Sequence, residues 1–226
     1  MTGYKVLAGL LWKDIKIQWK NLIGFQAFLM AVIYVAQTVK SRRIPNPRTP
    51  VDAFIFMIYF LMAFFFTDWL IAREKTKGTF VWIRSFSASE YVILGSKFLL
   101  YAFEISSLFL IAFVCLSHRS LTFDECTDVI LMDAVIVSFG GICLLCRLAF
   151  RTKLGHLVPF GLAQAIILSW IAITGKNPLL VAYLDQSFAA AHVRWLASLA
   201  LLLIYVGTWW GASVYFRSVD AATLRE

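Results

Sequence analysis

The sequence predicts an all-α integral membrane protein of six transmembrane helices, and three observations predict it. Of the 226 residues, 61% are hydrophobic and only 15% charged, against roughly 25% charge in an ordinary soluble domain. Mean hydropathy is +0.78, and a soluble fold of this length could not cover so much apolar surface. Apolar runs recur along the whole chain, each close to the roughly 20 residues a helix needs to cross the hydrocarbon core. The runs are continuous rather than alternating, unlike the roughly ten-residue strands of a membrane β-barrel.

The chain opens on a helix that does not span. At about 100° per residue, Lys5, Lys13, Lys16 and Lys20 fall on one arc, with Tyr4, Leu7, Leu11, Ile15 and Trp19 gathered on the other side. Residues 1–21 therefore read as an amphipathic interfacial helix, lysines toward headgroups and apolar face in the acyl boundary. Asp14 falls within that apolar face and breaks the pattern. The same lysines interrupt any apolar stretch that could serve as a cleavable signal peptide.

Six spans follow, at Leu22–Val39, Val51–Ala72, Tyr91–Ser117, Val129–Ala149, Leu154–Thr174 and Val193–Phe216. The chain reads as a single transmembrane domain over residues 1–226. Counting each basic residue with its nearer side, the segments that would be cytoplasmic with the N-terminus inside hold twice the Lys and Arg of those outside. Both termini are expected in the cytoplasm. One loop resists: Lys40, Arg42, Arg43 and Arg48 would lie outside, stiffened by Pro45, Pro47 and Pro50. It reads as a solvated hairpin or as an outer site for anionic groups. The net charge of +8 sits in these short segments between apolar runs, so it points to membrane lipids as partners rather than nucleic acid.

The most informative stretch is Arg73 to Lys97, REKTKGTFVWIRSFSASEYVILGSK, between spans two and three. It is too long for a tight hairpin. Gly78 and Thr79 break a charged turn, Phe80, Val81, Trp82 and Ile83 form an apolar patch, and Ser87-Ala88-Ser89-Glu90 fits a capping box opening span three. An apolar-faced surface helix at the cytoplasmic edge suits docking into a groove of another protein, or resting on lipid.

The order Glu74, Gly78-Thr79, Ser85-x-x-x-Ser89-Glu90 and Gly95-x-Lys97 resembles the permeases of the ABC-2 transporter family. Their first cytoplasmic loop often reads E-x-x-x-G-T, then S-x-P-x-S-x-E and a Gly-Lys pair. Ser87 stands near the usual proline, and Ser96 separates the Gly-Lys pair. With the N-terminal helix and the six spans, the resemblance covers essentially the whole chain. It implies that residues 73–90 carry a coupling helix seated in a cleft of a partner ATPase. Gly78, Thr79, Phe80, Val81, Trp82, Ile83, Arg84 and Ser85 would form that contact, with Arg73 and Glu74 flanking its entry. It also implies an ABC ATPase subunit dimer that binds ATP and Mg, and a second permease subunit, identical or homologous, pairing around a substrate path. A bacterial or archaeal cytoplasmic membrane is the expected location. The segment 175–192 would match short outer helices preceding the last span, and reads nearly as well as a simple outer loop.

No catalytic centre is expected, and no cofactor of this chain's own. The phosphate cradle G-x-x-x-x-G-K-[ST] is absent from the sequence, so ATP hydrolysis belongs to another polypeptide. Cys143-x-x-Cys146 lies inside span four without a second pair, and the two read as packing thiols. His118, His156 and His192 stand far apart. Among the intramembrane acids, Glu104 lies deepest, and an unpaired carboxylate in hydrocarbon costs at least about 2.5–3.5 kcal/mol. It is expected to line the substrate path or to pair across the dimer, a structural role being the alternative. Asp68 and Asp133 lie nearer span ends. The leading function is that of an exporter's permease subunit; the alternative is a membrane scaffold or assembly factor that docks a cytoplasmic protein without transport.

Overall fold

The computed structural model describes residues 3–42, 64–72, 74, 89–116, 123–150, 154–155, 157–162, 164–165, 186–187 and 190–219. Among them every regular element is helical. Four long helices form the frame: α1 (Gly3–Arg42), α2 (Glu90–Leu116), α3 (Phe123–Ala149) and α4 (Ala191–Ser218). A fifth segment, residues 64–72, is α-helical at its start and winds as a π-helix over Asp68–Ala72.

Three of the four long helices coincide with expected apolar runs. α2 matches span three, and α3 and α4 extend spans four and six by a few residues at their ends. Cys126–Ala149 and Ala191–Ser218 are long and apolar enough to cross a membrane. At the start of α2, Ser89 offers its carbonyl to the amides of Val92 and Ile93 at 2.9 and 3.1 Å. Glu90 is thus the first helical residue, where its charge meets the positive helix end, rather than the third residue of a capping box. Most of spans two and five lies outside the described residues.

α1 differs from the two segments expected there. It runs without interruption for 40 residues, about 60 Å, twice the roughly 30 Å of a hydrocarbon core. Proline first appears at Pro45, so no breaker separates the lysine-bearing lead-in from the apolar run.

Side-chain pairs fix the directions. Asp14 meets Lys97 and Gln26 meets Glu104, so α1 and α2 run parallel. Tyr101 donates to the Ile136 carbonyl at 3.3 Å and Ser106 to Asp133 at 2.7 Å, making α2 and α3 antiparallel. Asp128 pairs with Arg194, Ser138 donates to the Leu201 carbonyl at 2.6 Å, and Tyr215 to the Ala149 carbonyl at 3.0 Å. α3 and α4 are therefore parallel, and theirs is the most extensive helix contact among the described elements.

Two adjacent glycines allow this closeness. A Cβ at Gly140 would lie 1.8 Å from the Tyr101 hydroxyl oxygen, and one at Gly141 would lie 2.5 Å from both Thr208 and Tyr205 of α4. The pair lets α2 and α4 approach neighbouring sides of α3, as small residues do at membrane helix contacts. The core between them is Phe66, Leu70, Ile71, Ile93, Leu94, Phe98, Tyr101, Ile136, Leu144 and Phe216. Along α4 a stripe of Leu196, Leu199, Leu203, Val206, Trp210 and Val214 is exposed.

Candidate functional site

The polar chemistry gathers at the end of the bundle where α2 begins and α3 and α4 finish. There Lys13 and Asp14 of α1, Glu74, and Lys97 of α2 form a closed ion-paired node. Lys97 Nζ donates to Asp14 Oδ1 at 2.7 Å and lies 2.8 Å from Glu74 Oε1. Lys13 Nζ donates to the same Glu74 oxygen at 2.8 Å and stands 3.4 Å from Asp14 Oδ1. Two ammonium groups and two carboxylates balance, which is the condition for keeping them out of water.

The side chains of Lys97 and Asp14 are each only 2% exposed, while that of Lys13, at 26%, reaches the edge. Burial alone would lower the Lys13 pKa, but its hydrogen bond to Glu74 and the charges of Glu74 and Asp14 outweigh that and raise it above the usual value. Asp14, the misfit in the apolar face of α1, is the residue on which Lys97 closes. On either side of it Leu10 and Leu11 pack toward the core, while Tyr4, Trp12 and Trp19 stay exposed.

A second node lies alongside. Arg147 of α3 is buried, with its Nη1 3.4 Å from Asp68 Oδ1 and its guanidinium 4.7 Å from the centre of the Phe64 ring. Gly155 packs against the Arg147 backbone, where an added Cβ would come within 3.3 Å. Asp68 and Glu74 thus leave the same short segment for different partners. Phe66, between Phe64 and Asp68, faces α2 and stacks on Tyr101 at 6.0 Å.

Deeper in the bundle Glu104 is buried and accepts a hydrogen bond from Gln26 Nε2 at 3.0 Å. A carboxylate so placed carries a polar partner within its own chain. Asp133 accepts from Ser106 on the α3-facing side of α2. Cys143 is buried beside Phe139 and Phe64, and it and Cys146 are free thiols. Among the described residues no group of three or more His, Cys, Asp or Glu side chains could hold a metal ion.

Comparison with protein-family models, curated proteins and solved structures gives no match.

Of the residues expected to couple to an ATPase, Glu74 is placed, in the first node. Arg73, Gly78, Thr79, Phe80, Val81, Trp82, Ile83, Arg84 and Ser85 lie outside the described residues. Lys13, Asp14, Asp68 and Arg147 were not expected at a functional site. For Asp14, Asp68 and Arg147 the signal was a charge within or at the edge of an apolar stretch, which demands a partner without naming it, whereas Lys13 reads as one lysine of the headgroup arc.

Proposed function

We propose that this chain is the membrane-spanning subunit of an ATP-driven transporter of the ABC-2 type. In this reading residues 73–90 carry the coupling helix, which docks a separate ATPase binding ATP and Mg. The observation that carries it is the first node. Glu74 and Lys97, charged residues of the motif on either side of the loop, are tied together and to Asp14 of α1. A loop whose two ends are joined to the N-terminal helix is suited to pass a push from a docked partner into the bundle.

The helix directions support six spans. α1 and α2 run parallel, and so do α3 and α4, the arrangement that one returning span between the members of each pair would produce. One crossing between α1 and α2 and one between α3 and α4 would complete the count. The exposed apolar stripe of α4 suits a lipid-facing surface. Both termini then lie in the cytoplasm, in a bacterial or archaeal inner membrane. Glu104, buried at mid-bundle, is the acid we assign to the substrate path between two permease subunits, with export as the direction.

The test is affinity purification of the tagged full chain in mild detergent, with mass spectrometry of what accompanies it. A Walker-motif ATPase should accompany the parent and be lost from a Phe80→Asp, Trp82→Asp double variant. Its absence under several mild conditions would remove the motor and leave the non-transporting scaffold as the better reading.

A further inference from the structure

We infer that the outward face of α1, from Lys5 to Ile23, is a binding surface for anionic phospholipid. The packing divides α1 along a different line from the expected one, which sets the lysines opposite Tyr4, Leu7, Leu11, Ile15 and Trp19. Asp14 turns inward to Lys97, with Leu10 and Leu11 beside it. At about 100° per residue, the opposite side carries Lys5, Trp12, Lys16, Trp19, Lys20 and Ile23 within an arc of about 100°. All six are exposed. Lysine and tryptophan therefore share one face, which runs about 27 Å along the helix.

This face has no counter-charge of its own. Asp14 is the single acid of α1, and it is engaged on the inner side by Lys97 and Lys13. Lys5, Lys16 and Lys20 meet no carboxylate among the described residues. The mixture is too charged for hydrocarbon and too apolar for water, and a phospholipid meets both parts at once. Tryptophan favours the headgroup level of a bilayer, and unpaired lysines attract anionic headgroups. Lys16 and Lys20 stand one turn apart, close enough to hold one phosphate between their ammonium groups. Lys20 Nζ already lies over the Trp19 ring, 5.8 Å from its centre. Trp19 and Ile23 offer apolar surface to the acyl chains, and Lys5 and Trp12, toward the N-terminal end, meet the headgroup side. Three ammonium groups with no acid among them select an anionic over a zwitterionic lipid. The surface requires that the chain lie in a membrane, and it does not depend on the transporter reading.

The test titrates the full-length protein in mild detergent with phosphatidylglycerol or phosphatidylcholine of the same acyl composition, read by native mass spectrometry and by Tm. Phosphatidylglycerol should bind at least about tenfold more tightly and raise Tm further at equal concentration. A triple variant, Lys5→Gln, Lys16→Gln, Lys20→Gln, should lose at least about 30-fold in affinity for phosphatidylglycerol and keep its binding of phosphatidylcholine. Without lipid its Tm should stay within about 3 °C of the parent, as exposed substitutions allow. Lys20→Gln alone should lose at least about threefold, and arginine at all three positions should hold the affinity within about threefold of the parent. Equal binding of the two lipids by the parent overturns the proposal. So does an unchanged affinity in the glutamine triple variant, an arginine triple variant as weak as the glutamine one, or a Tm rise that inorganic phosphate reproduces at the same concentration.

Discussion

Replacing Lys97 by Met keeps the length and apolar stem of the side chain and removes the charge that closes the first node. Lys97 Nζ stands 2.7 Å from Asp14 and 2.8 Å from Glu74, each contact worth a gross attraction of about 6 kcal/mol at an effective dielectric of about 20. Most of that is offset by the desolvation of the ions, so the pair's net worth is much smaller. What the variant measures is the cost of stranding a carboxylate: Lys13 remains as the single cation for Asp14 and Glu74, and breaking a buried ion pair this way costs roughly 3–5 kcal/mol. For a chain of this size the expected fall in Tm is roughly 6–20 °C, read by thermal unfolding in mild detergent. Lys13→Met, at the more exposed edge, should lose less than half as much. The double variant Lys97→Met, Asp14→Leu leaves Lys13 facing Glu74 in balance and should recover at least half of the loss. A Lys97→Met chain as stable as the parent, or a double variant no better than the single, would refute the closed node.

Three further outcomes are expected. Gly140→Ala should destabilise by about 1–3 kcal/mol, since the new methyl would meet both the hydroxyl and the ring of Tyr101; Tyr101→Ala in the same chain should relieve the clash, seen as a smaller loss from Gly140→Ala in that background. Lys13 has a folded pKa above its ordinary 10.5, so its stabilisation is complete below the unfolded value and lost as pH rises through the folded one. Unfolding as pH rises above 10.5 should accordingly show a steeper fall in Tm for the parent than for Lys13→Met. Cys143, buried among aromatic rings, should resist maleimide until the protein is denatured, while the half-buried Cys126 at the other end of α3 reacts in the folded state; peptide mapping after labelling distinguishes them.

Hydropathy placed the helices α2, α3 and α4 to within six residues at their ends because a long apolar helix is defined by length and apolarity, both of which are local. It was silent on which helices touch, because helices apolar on most sides offer no periodic stripe to orient them. The packing of α3 against α2 and α4 depends on Gly140 and Gly141 respectively, and on tyrosine and serine hydroxyls reaching carbonyls of a neighbouring helix, none of which a hydropathy profile weighs. Asp14 was visible as an anomaly, and Glu74 and Lys97 as parts of a pattern. Their meeting was not legible, since it joins positions 83 and 23 residues apart through tertiary structure. The π turn was beyond reach as well: DWLIA has nothing in its composition to distinguish it from ordinary α-helix.

Three cations of the long helices, Lys97, Arg147 and Arg194, follow in sequence the carboxylates they meet, whereas Lys13 precedes both of its own. Asp14 and Glu74 precede Lys97, Asp68 precedes Arg147, and Asp128 precedes Arg194. A ribosome builds the chain from its N-terminus, so for these three cations the acid has been made before the base that needs it. A lone Lys or Arg near the centre of an inserting helix costs about 2.5–3.5 kcal/mol. Lys97, Arg147 and Arg194 sit away from the helix centres, and each emerges with its counter-ion already synthesised, so whatever part of that penalty its helix would meet in a bilayer could be offset as soon as the new helix reaches the growing bundle.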